Sequence, residues 1–239
     1  MVVLPHEGLG DLIAIIPGLQ ELSKIVPLAI ICDEEKWDQI INTFENVPNV
    51  SVRHFVEDKT YQIPADLCYK NETLIALGFY SRFPIIKYPK SFYFQMGIPE
   101  EVSRRKLILK PTRYKYDLPE EYIFIDLSTS NEMKFSMPNK NKYEQNLPTV
   151  KSVDNNTLLV TMPNKEYSIR LDQRYCFREK IHVALNSSKI ICSDAALFNA
   201  LIRLKHTVPI HVFTRNHVHT HDNIIYRNCR FDGGLYEFN

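Results

Sequence analysis

Asp11 stands directly behind two closely spaced glycines, in His6-Glu7-Gly8-Leu9-Gly10-Asp11, where a short apolar run gives way to a helical pattern. A carboxylate there can take a proton from a ligand hydroxyl within hydrogen-bond reach. It can equally cap the helix that follows, and the residues alone leave both readings open. Three of the chain's seven glycines lie between Gly8 and Gly18. Glycine so concentrated points to backbone that turns sharply or lets something approach closely. A strand, a glycine turn and a helix start together make a place for anions and polar ligands.

A second group of chemically capable residues lies in the other half of the chain. Ser128, Thr129 and Lys134 follow the apolar run EYIFID, at a strand end where α/β folds place ligands; the competing reading is a solvated polar loop. Ser193, Asp194, Ala195 and Ala196 close the run IICSD and open a helical pattern, with small residues that let backbone amides reach an anion. His217, His219 and His221 alternate, as metal ligands on one strand face do. Only Asp222 stands near to complete such a site, and a polar loop is the alternative. Several chemistries are excluded or weakened. A dinucleotide fingerprint needs a third glycine where Ile13 stands, and only Asp33 closes the second strand. Neither a Gly-Lys-Ser/Thr phosphate loop nor a Gly-x-Ser-x-Gly elbow occurs.

The elements that must position these residues read as follows. Val2 to Pro5 is a short buried strand. A helix from about Asp11 to Ile25 has Leu12, Ile15, Ile16, Leu19, Leu22 and Val26 on one stripe. Pro27 to Asp33 is a second buried strand, Asp33 caps a helix with Trp37, Ile40, Ile41 and Phe44 inward, and Val50, Val52 and His54 mark a third strand. This β-α-β-α-β order predicts a parallel sheet with helices on its faces. KSFYFQMGIPEEV reads as a helix closed by Gly97, and LILKPTRYKYDLPEE as a linker with a boundary near Tyr116. The second half repeats the architecture: strands at EYIFID, NTLLVTMP, IICSD and VPIHVFT, helices at FREKIHVALNSSK and Ala195 to Leu204, an edge strand at NIIYRN, and a C-terminal FDGGLYEFN tail docking across the boundary. The expected fold is therefore α/β, with residues 1–116 and 117–239 forming two Rossmann-like domains.

Net charge of +1 gives no electrostatic case for nucleic acid. No apolar run approaches the ~20 residues of a membrane helix, and no secretory signal is visible. Five scattered cysteines without a C-x-x-C pair suit reduced thiols in a cytoplasmic protein.

Val2 to Leu22, with Gly10-Asp11 followed by Pro17, resembles the opening of family 9 GT-B glycosyltransferases, the heptosyltransferase-like enzymes. Phe94 to Pro99 is similar to that family's leucine-Gly-Ile-Pro segment, and Ile191 to Thr214 to its strand-Asp-helix-Pro-strand segment. Three departures stand out: Asp194-Ala195-Ala196 for Asp-Ser/Thr-Gly, Asn199 for His, and Lys134-Phe-Ser-Met-Pro138 for Lys-x-Trp-Pro. The resemblance implies two Rossmann-like domains with parallel sheets facing across a cleft. It implies an inverting, metal-independent transferase with no cofactor. Asp11 would be the base, and His6, Gly8, Gly10, Tyr80 and Arg82 would lie on the glycan-acceptor side. Ser128, Thr129, Lys134, Met162, Ser193, Asp194, Ala195, Ala196 and Arg215 would hold a nucleotide-sugar donor, UDP-linked, with Met162 against the base. The Asn-, Lys-, Ile- and Tyr-rich style and shortened domains resemble glycan-making enzymes of large DNA viruses, which implies L-rhamnose as the sugar and a place in a longer chain. Two alternatives are a silent nucleotide- or glycan-binding module and a dinucleotide-binding α/β enzyme.

Overall fold

The computed structural model describes residues 1–5, 8–54, 71–77, 90–128, 147–214 and 229–233. The chain divides into two compact units, Met1–Ile108 and Leu109–Asn239. Tyr116, the boundary expected from the prolines, falls inside the second unit. The reason is local bonding. Thr112 donates to Glu179, the Tyr114 hydroxyl to Asp172 at 2.7 Å, His182 to the Lys110 carbonyl at 2.8 Å, and the Tyr167 hydroxyl to the Asp117 carbonyl at 2.7 Å.

The first unit is built on strands β1 (Val2–Leu4), β2 (Ala29–Cys32), β3 (Ser51–His54) and β4 (Leu74–Ala76). They pair in the order β3-β2-β1-β4, all parallel. The chain winds outward from β1 to β3, then returns to the other side of β1. Strand order therefore reverses between β1 and β4, and the C-terminal end of β1 is a topological switch point. Helix α1 (Leu9–Leu22) begins there. Helix α2 (Glu34–Thr43) is capped by Asp33, whose carboxylate accepts from the Glu35 amide at 2.9 Å.

Helix α1 was expected to be amphipathic, and it is instead buried nearly all round. Ile13 and Ala14 join the expected stripe in the core, each at 0% exposure. Helix α3 (Lys90–Gln95) and the 3₁₀ turn Glu100–Arg104 pack against α1. Gly18 has no Cβ because one would stand 2.5 Å from Met96 Cε and 3.3 Å from Tyr93 Cε1. Fully buried Tyr93 donates its hydroxyl to the Ala14 carbonyl at 2.8 Å. Pro17 lies inside this helix, a cost of about 3 kcal/mol. Burial of Leu12, Ile13, Ile15, Ile16 and Leu19, at about 1.5–3 kcal/mol each, more than offsets it. Gly97 closes the α3 segment in the left-handed conformation, φ +67°, as the sequence predicts. Tyr93→Phe is expected to lower stability by about 1 kcal/mol, read as a lower urea midpoint at unchanged m-value.

The second unit holds β5 (Ile123–Asp126), β6 (Thr149–Ser152), β7 (Thr157–Met162), β8 (Lys165–Arg170), β9 (Lys189–Ser193), β10 (Ile210–Thr214) and β11 (Cys229–Gly233). Their order is β11-β10-β9-β5-β6-β7-β8. From β11 to β6 the strands are parallel; β7 and β8 are antiparallel. NTLLVTMP is thus a one-sided meander strand rather than a doubly buried parallel one. Leu158 and Val160 are buried while the alternate positions are not. The strands β6 and β8 were not expected. Helix α4 (Cys176–Leu185) packs on β5 and β9. Helix α5 (Ala196–Leu201) ends before the expected Leu204, where Arg203 Nη1 donates back to the Asn199 carbonyl at 2.9 Å. The edge strand is β11, and NIIYRN lies outside the described residues. Phe231, Asp232 and Gly233, expected in a docking tail, instead pair with Val212, Phe213 and Thr214.

Candidate functional site

In the first unit, Gly8 is the residue before α1, in extended backbone with φ −73° and ψ 140°. Its carbonyl accepts from the amides of Asp11 and Leu12, both at 3.0 Å. Asp11 is therefore not the capping residue; it occupies the third helical position, within the first turn. Helical side chains lean toward the N-terminus, and the Asp11 carboxylate does so far enough to lie over Gly8. A Cβ on Gly8 would stand 2.8 Å from Asp11 Oδ2. Here glycine serves a close approach, but the approaching group is the chain's own carboxylate. The half-buried Asp11 thus sits beside the C-terminal end of β1, at the switch point, facing the positive end of the helix dipole. Gly10 lies in the same first turn. His6, Tyr80 and Arg82 lie outside the described residues.

In the second unit, strand order reverses between β5 and β9, so the C-terminal ends of these strands form the second switch point. Asp126 ends β5 in register with Cys192 of β9. The pairing brings Ser128 to Ser193, whose hydroxyl donates to the Ser128 carbonyl at 2.7 Å. The amide of Ser128 donates to Asp126 Oδ1 at 3.0 Å, and its hydroxyl donates to the same oxygen. Asp126 is 4% exposed and faces Lys180 Nζ of α4 at 3.5 Å. Lys180 also reaches the Asp154 carbonyl, at 3.5 Å, in the turn between β6 and β7. The amide of Asn156, with the side chain and amide of Thr157, holds the Asp154 carboxyl below its ordinary range, and burial opposes them. Asp194 is buried, with its amide on the Phe213 carbonyl at 3.1 Å, and half-buried Ala195 and Ala196 follow.

Ser128, Ser193, Asp194, Ala195 and Ala196 are therefore gathered at one sheet edge. Met162 is not among them. By register Thr161 faces Thr149, which is level with Ile123 at the start of β5. Met162 thus lies at the opposite end of the sheet, because β7 runs antiparallel. Thr129, Lys134, Arg215, His217, His219 and His221 lie outside the described residues.

The hydrogen bonds redefine what the serines offer. Both hydroxyl protons are directed at protein oxygens, so Ser128 and Ser193 present acceptor lone pairs rather than donors. Lone pairs match ligand hydroxyls, not phosphate oxygens. The α5 start is a weaker anion site than expected, since six residues align few peptide dipoles. Asn199, buried at the position of the resemblance's His, is turned inward. Its amide donates to the Ala195 carbonyl at 3.2 Å and its oxygen faces Arg203 at 3.4 Å. Sequence reasoning overlooked Asp126, Asp154 and Lys180. The available signals were an acid closing an apolar strand and the successive charges Arg178-Glu179-Lys180 inside an apolar helix stripe.

Among the described residues no cluster of three or more His, Cys, Asp or Glu could hold a metal. None of their helices is long and apolar enough to cross a membrane. Cys32, Cys176 and Cys192 are buried thiols; burial pushes the Cys32 thiol up to about 12, far from reactive.

No model of a known protein family matches the chain, and no curated protein matches it. Solved structures do. The dodecameric iron-containing heptosyltransferase TibC, determined in complex with ADP-D-beta-D-heptose, aligns over 98% of this chain with TM-score 0.53 and 13% identity. This chain spans 63% of TibC's length. A family 9 glycosyl transferase from Veillonella parvula aligns over 89% of this chain and 79% of its own, with TM-score 0.45 and 13% identity. At this identity the likeness to TibC is one of fold: α/β with parallel sheets, as in GT-B glycosyltransferases.

Proposed function

We propose that this chain is a glycosyltransferase, moving a sugar with inversion from a nucleoside diphosphate donor, UDP-linked, to a glycan hydroxyl. The observation that supports it most is the fold likeness to TibC over 98% of the chain, together with a carboxylate or serine cluster at the switch point of each sheet. Asp11 takes the proton of the acceptor hydroxyl as that oxygen attacks the anomeric carbon. The bond to the diphosphate breaks, and the leaving group departs with its negative charge. Lys134, Arg215 and backbone amides near Ala195 and Ala196 meet that charge. Ser128, Ser193 and Asp194 accept from donor hydroxyls. L-Rhamnose is the sugar this reading favours.

Calorimetry against UDP, ADP, GDP, TDP and NAD is the direct test. The expected result is micromolar to millimolar binding of UDP and none of NAD. ADP binding without UDP binding moves the donor to an ADP-sugar, as in the TibC complex. NAD binding alone supports a dinucleotide enzyme, and no nucleoside diphosphate binding removes the transferase reading.

The role needs no metal in this reading. Exhaustive chelation is expected to leave transfer within about twofold of untreated protein. Loss of activity with recovery on adding iron brings back His217, His219 and His221 as ligands.

A second reading is a silent nucleotide- or glycan-binding module. The inward-turned Asn199 favours it, since that side chain is spent on Ala195 and Arg203. It predicts nucleotide binding with no transfer to any acceptor.

A further inference from the structure

The buried ion pair between Lys180 and Asp126 is not accounted for by stability. Their side chains are 6% and 4% exposed and stand 3.5 Å apart. Desolvating two charges is costly, and well-packed apolar residues in such places are commonly as stable or more so. What an apolar pair cannot do is accept hydrogen bonds in a fixed direction. Asp126 does this: one carboxylate oxygen faces Lys180 while the other receives both the amide and the hydroxyl of Ser128. Ser128 in turn offers its carbonyl to the Ser193 hydroxyl at 2.7 Å. The chain of contacts runs from α4 through the end of β5 to the end of β9. It begins in the interior and passes through an exposed residue, Ser128, at the sheet's C-terminal edge.

We propose that Lys180 is a positioning residue of the donor site, acting through Asp126 to fix Ser128 and, through the Ser128 carbonyl, Ser193. The proposal rests on the donor-binding reading above. Without the ammonium, Asp126 is a buried charge with its countercharge removed. It turns toward solvent, and that withdraws the oxygen that holds Ser128. Lys180 touches no ligand itself.

The test is a double-mutant comparison by calorimetry with UDP and ADP. Lys180→Met is expected to weaken nucleotide affinity roughly tenfold in the otherwise native chain, and only about threefold in a Ser128→Ala background, which lacks the hydroxyl but keeps the amide and carbonyl. Lys180→Arg, which keeps the charge, is expected to stay within about threefold of the native chain. A merely structural lysine gives the same weakening in both backgrounds, and that result overturns the proposal. Amide hydrogen exchange gives a reading independent of ligand. The Ser128 amide is expected to lose roughly tenfold protection in Lys180→Met, beyond any change at the core amides of Phe124 and Ile191. Unchanged Ser128 protection overturns the proposal. If the native chain binds neither nucleotide, the donor reading falls, and the Ser128 amide still decides whether Lys180 holds that residue. Should Lys180→Met not fold, Lys180→Gln serves for both measurements.

Discussion

Replacing Asp11 with Asn is expected to reduce glycosyl transfer by about 10³-fold while leaving nucleotide affinity within about twofold. Asn matches Asp in shape, so it fits over Gly8 as the carboxylate does. What it lacks is basicity. The same carboxylate lies in the first turn of α1, where its charge is worth about 0.3–1 kcal/mol against the helix dipole. A small fall in melting temperature is therefore expected on either account of Asp11. Only the base account predicts that the rate collapses as well. Transfer at the native rate in Asp11→Asn removes Asp11 as the base and leaves it a helix-terminus charge.

The second large effect is on stability. Glu179→Ala is expected to cost about 3–5 kcal/mol, read as a lowered midpoint of chemical unfolding. Glu179 is 0% exposed and accepts from Arg178 Nε at 3.0 Å and from Thr112. Arg178 is itself 5% exposed, with its guanidinium 4.4 Å from the Tyr175 ring. Removing the carboxylate takes an ion-pair partner from the buried guanidinium and one of the bonds that tie the Thr112 segment to α4. Arg178→Met with Glu179→Leu removes both charges and is expected to lose far less than Glu179→Ala alone. A loss below about 1 kcal/mol in Glu179→Ala contradicts this account of the pair.

Much of the first unit was legible because periodicity and burial coincide there. The stripe of α1 from Leu12 to Leu22, the Asp33 cap, the three alternating or apolar strands and Gly97 each follow from a local rule and are found, whereas the helix stops at Leu22, before the expected Ile25 and Val26. The outer burial of α1 was not legible, since it depends on Tyr93 and Met96, far along the chain. In the second unit β6 is four residues with a lysine in it, too short for a pattern to declare itself. Strand direction leaves no local trace either. NTLLVTMP reads the same whether it runs with the sheet or against it, and only the antiparallel pairing puts Met162 at the far end from Ser128. Helix α5 was overextended because Arg203 keeps the period while its guanidinium closes the helix. In the site, the serines were legible as polar residues at strand ends. The direction of their hydrogen bonds was not, because it depends on Asp126 and Lys180, which meet only when β5 and α4 pack.

The double burial of α1 has a consequence for synthesis. The groups that cover its outer side, Tyr93 and Met96, leave the ribosome more than seventy residues after the helix itself. For several seconds, at roughly 5–20 residues per second, a nascent chain carries a helix that is apolar nearly all round and only a partial sheet to receive it. Apolar surface exposed over such an interval is prone to aggregation. A chain released before Tyr93 would leave the Ala14 carbonyl without that hydroxyl and the Gly18 notch unfilled.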